Sequence, residues 1–292
     1  MDLGDLAHPA RLLERIGLRR AAGRLRLFRR HVYWLLPHLR PDEAATLTRY
    51  WVGERRRRRD LHVLDLDALR GARRGDTVFV FGSGRSLTEI TEDEWSRIAE
   101  FDTVAFSHFH RQNWVRVDFY VVGELVPYLD DAAESFRTNP RFAHTIYGLM
   151  KGWSARSSNE LVARGLLPQD ARVFHWRRVG REETIPPGTR LDLVHGSNSL
   201  MDVVNFALVL GWREIVIAGV DLYNKEYFWL PPGVTRPDER PIFTAESRWF
   251  QADQMIETLR LWRQLVEPSG IRISVYNARS LLAEAIPVYR PA

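Results

Sequence analysis

The sequence of 292 residues contains no cysteine. This absence excludes disulfide bonds and cysteine-ligated metals, and it fits a reducing compartment. No apolar run reaches the roughly 20 residues that span a bilayer. The longest near-apolar run, 203–212, contains Asn205. The N-terminus is interrupted by arginines and shows no apolar core of a signal peptide. We therefore expect a cytoplasmic protein.

Lysine is nearly absent as well, because Lys151 and Lys225 are the only lysines and almost all basic residues are arginines. The formal net charge is +5, and the basic excess is concentrated near the N-terminus. Residues 8–36 combine these arginines with an apolar face at helical spacing. The apolar positions are Leu25, Phe28, Val32 and Leu36.

A basic amphipathic segment of this kind has three interpretations. It can lie on an anionic membrane surface, pack on its own domain with the arginines in water, or bind nucleic acid. The arginines lack the interleaved aromatic platforms that single-strand binding uses, so we expect no nucleic acid partner. Peripheral attachment at the inner face of a membrane and plain packing both stay open for residues 8–36.

From residue 75 onward, predicted strands alternate with predicted helices. This alternation is typical of a mainly parallel sheet with helices on both faces. We predict a Rossmann-like α/β domain over residues 61–292, preceded by a basic helical segment over residues 1–60. The predicted strands are 77–81, 103–106, 119–122, 144–149, 172–176, 215–220 and 273–276, and the predicted helices are 92–99, 125–136, 157–164, 199–210 and 245–266.

A turn rich in glycine and serine, 82–87, follows the first of these strands. Glycines let a backbone approach a ligand closely, and serine hydroxyls can bond to phosphate oxygens. The alternative is a tight turn that binds nothing. Leu87 stands where the dinucleotide fingerprint has its third glycine, which argues against a standard NAD site. The candidate binding residues of the turn are Gly82, Ser83, Gly84 and Ser86.

Polar side chains also follow the predicted strands 103–106 and 215–220 and the strand-like stretch 191–194. The carboxyl ends of parallel strands meet at one edge of a sheet, where α/β proteins bind ligands. We therefore expect these side chains to converge with the 82–87 turn on one ligand. For each there is a plainer alternative, such as a solvated loop or a cap of backbone N–H groups. The candidates are Ser107, His108, His195, Asn198, Ser199, Asp221 and Tyr223.

Four sequence blocks carry a resemblance to a known family. They are GSGRSL at 82–87, FDTVAFSHFH at 101–110, NSLMDVVNFALVLGWREIVIAGVDLY at 198–223 and VYNARSLLAEAIP at 275–287. In content and order these blocks resemble the lipooligosaccharide-type bacterial sialyltransferases and the related motility-associated glycosyltransferases. The resemblance leaves residues 1–60 uncovered.

This resemblance implies a glycosyltransferase-A-like fold and a metal-independent, inverting glycosyltransferase. The donor would be a CMP-linked sialic acid or another ulosonic acid, and the acceptor a surface glycan or glycolipid. It implies that Tyr223 and Tyr227 contact the phosphate, that Ser83 and Ser107 contact the nucleotide where the family has asparagines, and that Ser199 lies by the cytidine. Metal independence is physically reasonable because hydroxyls, amides and helix N-termini can stabilise a departing phosphate.

The chain departs from the family at the catalytic base. The family places a histidine in the loop before the last long helix, whereas this chain has no histidine after His195. Glu246 lies in that loop, and a positioned carboxylate can act as a general base. The alternative for Glu246 is a helix N-terminal acid that interacts with the helix dipole. We expect the base to be Glu246 or a histidine from another loop, with His195 as the candidate.

Two other function classes stay open. A nucleotide-dependent phosphoryl or pyrophosphoryl transferase predicts a magnesium requirement and clustered carboxylates, and the sequence shows no well-placed acidic cluster. Asp65 and Asp67 resemble an Asp-x-Asp metal motif, but they precede the first predicted strand. We therefore expect no metal cofactor. The other class, a non-catalytic scaffold, predicts no nucleotide binding.

Overall fold

The computed structural model describes residues 61–123, 125, 128–151, 155–179, 192–194, 198–237 and 251–291. All of them belong to the predicted catalytic domain. The predicted basic segment 1–60 lies outside the described residues, and so do His195 and Glu246.

The described strands are all parallel to their neighbours. They are β1 (His62–Val63), β2 (Thr77–Phe81), β3 (Asp102–Phe106), β4 (Phe119–Val122), β5 (Ile146–Met150), β6 (Arg172–Val179), β7 (Asp192–Val194), β8 (Glu214–Ala218) and β9 (Arg272–Val275). Their order across the sheet is β1, β6, β5, β4, β3, β2, β8, β9, and β7 pairs with the last residues of β6. The predicted Rossmann-like α/β fold is thus confirmed.

Six α-helices and five short 3₁₀ segments connect the described strands. The helices are α1 (Leu66–Gly71), α2 (Glu92–Ile98), α3 (Leu129–Thr138), α4 (Arg156–Arg164), α5 (Ser199–Leu210) and α6 (Ala252–Val266). The 3₁₀ segments are Arg85–Glu89, Ser107–Arg111, Pro140–Phe142, Glu267–Ser269 and Leu281–Glu284. Within the part of the chain described, no helix combines the length and the apolar character that crossing a membrane requires.

Local sequence signals explain where two of these helices begin and end. Thr91 and Glu94 form a capping box in front of α2, each side chain accepting a hydrogen bond from the backbone N–H of the other. The Asn198 side chain accepts from the Met201 N–H at 3.2 Å and so starts α5. Gly211 ends α5 with a positive φ of 88°, a conformation that glycine adopts without steric cost.

Strand residues alternate between two hydrophobic cores, one on each face of the sheet. In β2, Val78 and Val80 pack in the core that contains residues of α5 and α6. Phe79 and Phe81 pack in the core that contains residues of α2, α3 and α4. Strands buried on both faces read as nearly continuous apolar runs, which is why β2 was recognisable in the sequence. Helices on both faces are confirmed.

Several predicted boundaries differ from the structure. Helix α3 begins at Leu129 rather than at residue 125. Strand β8 ends at Ala218 rather than at residue 220, because Gly219 adopts a φ of 66° and turns the chain out of the extended conformation. The sequence does not predict β1 and α1. The Asp65 carboxylate caps α1 by accepting from the Ala68 N–H at 2.8 Å, so it has a structural role there.

The strand order reverses between β2 and β8. From β2 the chain continues outward through β3, β4, β5 and β6, whereas β8 and β9 lie on the other side of β2. Open α/β sheets bind ligands at such a reversal, in the crevice outside the carboxyl ends of the strands. The topology therefore predicts a ligand site outside the carboxyl ends of β2 and β8.

Candidate functional site

A cavity of about 370 Å³ lies at this reversal. Its walls are the turn after β2, the end of β3, the beginning of α5 and the loop after β8, together with Arg236, Gln251 and Met255. Ligand pockets in proteins usually measure about 300–1,000 Å³. The cavity has the position and the volume of a small-molecule site.

Most of the predicted donor-binding residues border this cavity. Those in its wall are Gly82, Ser83, Gly84, Ser107, Asn198, Ser199, Asp221 and Tyr227. Ser86, His108 and Tyr223 are not part of the described wall. The ends of several strands therefore border one cavity.

The glycines of the first turn are required by packing within the protein. The Gly82 N–H donates to the Ala218 carbonyl at 2.9 Å, and the Gly84 N–H donates to the Gly219 carbonyl at 2.7 Å. A Cβ on Gly82 would clash with that same Gly219 oxygen, and one on Gly84 would lie 2.5 Å from Asp221 Oδ2. The close approach of the loop after β8 thus explains both glycines without a ligand.

A carboxylate of the protein occupies the anion position of this turn. Asp221 Oδ2 accepts from the Ser86 N–H at 3.0 Å, and Asp221 Oδ1 accepts from the Ser86 hydroxyl. Both side chains are buried. Burial raises the pKa of Asp221, and the two bonds from Ser86 oppose that shift. The Ser86 hydroxyl, a predicted phosphate ligand, is therefore engaged by Asp221, which caps a backbone N–H in the β2 turn.

Leu87 takes the space that the third glycine of a dinucleotide site would leave open. It is fully buried, and a Cβ on Gly219 would lie 2.6 Å from Leu87 Cγ. The chain then forms only a short 3₁₀ segment, Arg85–Glu89, before α2. The N-terminus of α2 is closed by its own capping box. The N–H groups of Thr91 and Glu94 at the start of the helix after β2 are therefore already engaged within the protein.

Helix α5 presents its N-terminus to the cavity instead. Asn198 and Ser199, at the start of this 12-residue helix, both border the cavity. The positive end of a helix dipole favours anions. Gly123 lets the helix start approach β4 closely, since a Cβ at that position would lie 2.8 Å from Ser199 Oγ.

Backbone strain coincides with the cavity wall. Among the described residues, Ser107 with a φ of 56° and Leu222 with a φ of 65° are the non-glycine residues at positive φ, and both border the cavity. Such conformations cost on the order of 1–3 kcal/mol and concentrate at functional sites. The Ser107 carbonyl accepts a hydrogen bond from the hydroxyl of buried Tyr120. The Ser107 hydroxyl lies 3.4 Å from the Ser83 hydroxyl. These contacts hold Ser107 in its strained conformation.

The described wall of the cavity contains two cationic side chains, Lys225 and Arg236, and two carboxylates, Asp221 and Glu226. Glu226 Oε2 lies 3.5 Å from Arg85 Nε, and Glu226 Oε1 accepts from the Gly233 N–H at 3.0 Å. Since Asp221 is bonded to Ser86, both carboxylates are engaged by the protein. Lys225 is only 2% exposed. Two cationic side chains and the N-terminus of α5 thus border the cavity.

Sequence reasoning missed Lys225 and Arg236 as site residues. The available signals were weak: Lys225 is one of two lysines in an arginine-rich chain, and Arg236 lies in the proline-rich stretch 229–241. Neither belongs to a recognisable motif. Loops like this one carry site residues that only their position in the fold reveals.

His108 lies behind the cavity wall, in contact with Arg236. Arg236 Nη1 is 3.1 Å from His108 Nε2, and the imidazole centroid is 4.7 Å from that of Tyr128 and 5.3 Å from that of Trp229. Burial, and then the charge of Arg236, lower the pKa of His108 to about 2. Burial also lowers the pKa of His110 to about 4. Both imidazoles are neutral near pH 7.

The two predicted phosphate-binding tyrosines differ in position. Tyr227 borders the cavity and forms a backbone bridge with Gly84. Tyr223 is half-buried outside the described wall, where burial and then the charge of Asp221 raise its pKa, while the charge of Arg279 opposes the shift. Of the pair, Tyr227 is the one placed to meet a ligand in the cavity.

No family model matches the chain, and no curated protein matches it. The fold and the site define the class. The protein is a doubly wound, parallel α/β protein with a polar cavity at the reversal of its strand order, and cationic groups and a helix N-terminus line that cavity.

Proposed function

We propose that the protein is an inverting glycosyltransferase that binds a nucleotide-activated sugar in this cavity. The observation that carries the proposal is that the N-terminus of α5, Lys225 and Arg236 border one cavity at the strand-order reversal. A nucleotide-activated sugar carries its negative charge on phosphate, and this arrangement would hold a phosphate. The sequence resemblance supports a CMP-linked sialic acid or other ulosonic acid as donor, and a surface glycan or glycolipid as acceptor.

In the proposed reaction, a hydroxyl oxygen of the acceptor bonds to the anomeric carbon of the donor. The bond from that carbon to the phosphate oxygen breaks, and CMP leaves with the bonding electrons. Positive groups fixed around the departing phosphate stabilise the charge that develops on it. In this proposal Lys225, Arg236 and the α5 N-terminus would fill that role, so that the reaction would need no metal ion.

The proton of the acceptor hydroxyl must go to a base. His108 is unsuited, because it is buried and its pKa of about 2 makes it a weak base. The candidates remain Glu246 and His195, which lie in parts of the chain that the structure leaves undescribed. We further propose that the protein acts on the cytoplasmic side of a membrane, with residues 8–36 on the anionic lipid surface.

Thermal unfolding with added nucleotides tests the proposal. A ligand that binds only the native state at about 100 times its Kd stabilises that state by roughly 2.7 kcal/mol. CMP, CDP, UDP, GDP, ADP and ATP are compared with and without magnesium. We expect CMP to raise the unfolding temperature in the absence of magnesium. If UDP or GDP raises it instead, the protein would still be a glycosyltransferase, but its donor would carry a different nucleotide.

Two results would overturn the proposal. A shift that only ATP and magnesium produce would favour a phosphoryl or pyrophosphoryl transferase. If no nucleotide changes the unfolding temperature, a non-catalytic scaffold becomes the better account. When CMP binds, release of CMP from CMP-sialic acid in the presence of candidate acceptors then tests for transfer.

A further inference from the structure

Two buried neutral groups hold the guanidinium of Arg236 at the cavity. One is the His108 imidazole, whose Nε2 lies 3.1 Å from Arg236 Nη1. The other is the Tyr227 ring, whose centroid lies 5.3 Å from Arg236 Cζ. His108 and Tyr227 are 1% and 8% exposed. The guanidinium thus contacts two side chains that have little freedom to move.

The contact with His108 requires one particular form of the imidazole. An arginine only donates hydrogen bonds, so Nε2 must carry the lone pair and Nδ1 the proton. A protonated imidazole would place two cations in contact. Among the described residues, the other charged side chain that acts on His108 is Arg111, which is paired with Asp131. The contact with Arg236 therefore assigns the neutral Nδ1–H tautomer, although the buried Nδ1 has no hydrogen-bond partner among the described residues.

The backbone and the neighbouring rings fix the imidazole in turn. Strand β3 ends at the strained residue Ser107, and His108 follows directly in the 3₁₀ segment Ser107–Arg111. The Tyr128 ring stands perpendicular to the imidazole at an interplanar angle of 89°, and Trp229 packs on it at 51°. A chain of contacts thus leads from β3 through His108 to the guanidinium at the cavity wall.

From this geometry we infer that Arg236 binds the anionic oxygens of the ligand, and that His108 is the positioning residue for Arg236. Arginine presents five N–H donors in a fork that matches phosphate and carboxylate. An imidazole acceptor occupies a donor without adding negative charge, so this contact orients the guanidinium without neutralising it. The ligand class rests on the proposed function, whereas the requirement for an anion does not.

Calorimetric binding to the full chain tests the role of Arg236. The probes are CMP, cytidine, N-acetylneuraminate and pyrophosphate, and the variants are Arg236→Gln and Arg236→Lys. We expect Arg236→Gln to weaken CMP binding by roughly 10- to 100-fold, as for loss of a charge-assisted hydrogen bond, and to leave cytidine binding unchanged. Arg236→Lys should recover part of the loss, because it restores the charge but not the fork. A loss confined to N-acetylneuraminate would instead assign Arg236 to a carboxylate.

The matched control is Arg279→Gln. Arg279 is an arginine paired with Glu89, and it is not among the residues of the described cavity wall. Its substitution should leave the affinity for every probe unchanged. Equal losses from Arg279→Gln and Arg236→Gln would overturn the inference, because they would show a general effect of net charge.

The role of His108 is tested by two substitutions and one spectrum. His108→Gln retains an acceptor and should keep CMP binding within about 3-fold, whereas His108→Phe keeps a ring without an acceptor and should lose nearly as much as Arg236→Gln. The double variant His108→Phe/Arg236→Gln should bind no more weakly than Arg236→Gln alone, because the two residues act through one interaction. If His108→Phe lowers only the unfolding temperature and leaves CMP affinity intact, the positioning role is refuted.

The nitrogen spectrum of His108 in the unmodified protein needs no variant that might fail to fold. We expect the Nδ1–H tautomer, and an Nε2–H tautomer would overturn the inference. The failures of the two proposals are also distinguishable. If pyrophosphate binds through Arg236 but no nucleotide binds, the proposed function fails and the inference stands. If CMP binds equally well to Arg236→Gln, the inference alone fails, and if no probe binds the unmodified protein, both fail.

Discussion

Asp221 closes the glycine-rich turn of this protein by accepting hydrogen bonds from both the N–H and the hydroxyl of Ser86. The two residues are separated by 135 positions in the sequence, and they join the loops after β2 and β8 at the point where the strand order reverses. The sequence suggests that this turn binds an anion, but the N–H and hydroxyl of Ser86 are already bonded to a carboxylate of the protein itself. The groups that we propose to bind a ligand lie instead at the start of α5 and in the loop after β8.

The first prediction concerns the energy of this contact. Asp221→Ala leaves a buried N–H and a buried hydroxyl of Ser86 without their acceptor, which costs about 1–3 kcal/mol for each unsatisfied group. Asp221→Asn keeps an acceptor oxygen and should cost much less. Urea unfolding measures both changes in the free energy of unfolding. Equal stability of the alanine variant and the unmodified protein would contradict the assigned role.

The second prediction concerns pH. Burial raises the pKa of Asp221 above its usual value of 3.8, with Glu89 adding to the shift and Arg279 opposing it. Between the unfolded and the folded pKa the native state binds more protons, so stability falls as pH rises through that window. The free energy of unfolding of the unmodified protein, minus that of Asp221→Asn, should therefore decrease as pH rises from below 3.8. A difference that is constant with pH would refute the raised pKa.

The third prediction compares two glycines. A Cβ on Gly84 would lie 2.5 Å from Asp221 Oδ2, whereas a Cβ on Gly75 would meet nothing within 4 Å. Gly84→Ala should lower the free energy of unfolding by about 1–3 kcal/mol, as overpacking does. Gly75→Ala should leave stability nearly unchanged or slightly increased. Similar effects of the two substitutions would show that the loop after β8 does not restrict Gly84.

The fourth prediction addresses the general base. Removing a general base lowers the rate of the chemical step by roughly 10²- to 10⁴-fold. One of the two variants Glu246→Gln and His195→Asn should show this loss in kcat for transfer while CMP binding stays unchanged. That variant should also lose the acidic limb of the pH profile of kcat. If both variants keep full activity, neither residue is the base.

The fifth prediction concerns the basic segment. If residues 8–36 lie on an anionic membrane surface, removal of residues 1–36 should lower binding to phosphatidylglycerol vesicles, because each basic residue near such a surface contributes about 1 kcal/mol. Binding to neutral phosphatidylcholine vesicles should be weak for both proteins and serves as the control. Cosedimentation measures both. Equal binding of the two proteins to the anionic vesicles would remove the membrane role.

The sheet and its main helices could be predicted because their signals are local. Buried strands such as β2 are apolar on both faces, and the caps at Thr91 and Asn198 each start a helix by bonds within a few residues. Boundaries that depend on a single backbone conformation, such as the end of β8 at Gly219, were less predictable. The short elements β1 and α1 have too few residues to show a periodic pattern of apolar side chains.

The sequence by itself determined which segments form strands and helices, and which polar residues follow the strands. Only the tertiary structure decided which of those residues share a cavity. It joined Ser86 to Asp221, so that neither is free for a phosphate, and it brought Arg236 onto His108 across 128 positions. The physical reason is that local patterns reflect hydrogen bonding and burial within a few residues, whereas contacts between distant loops depend on the order in which the strands pair.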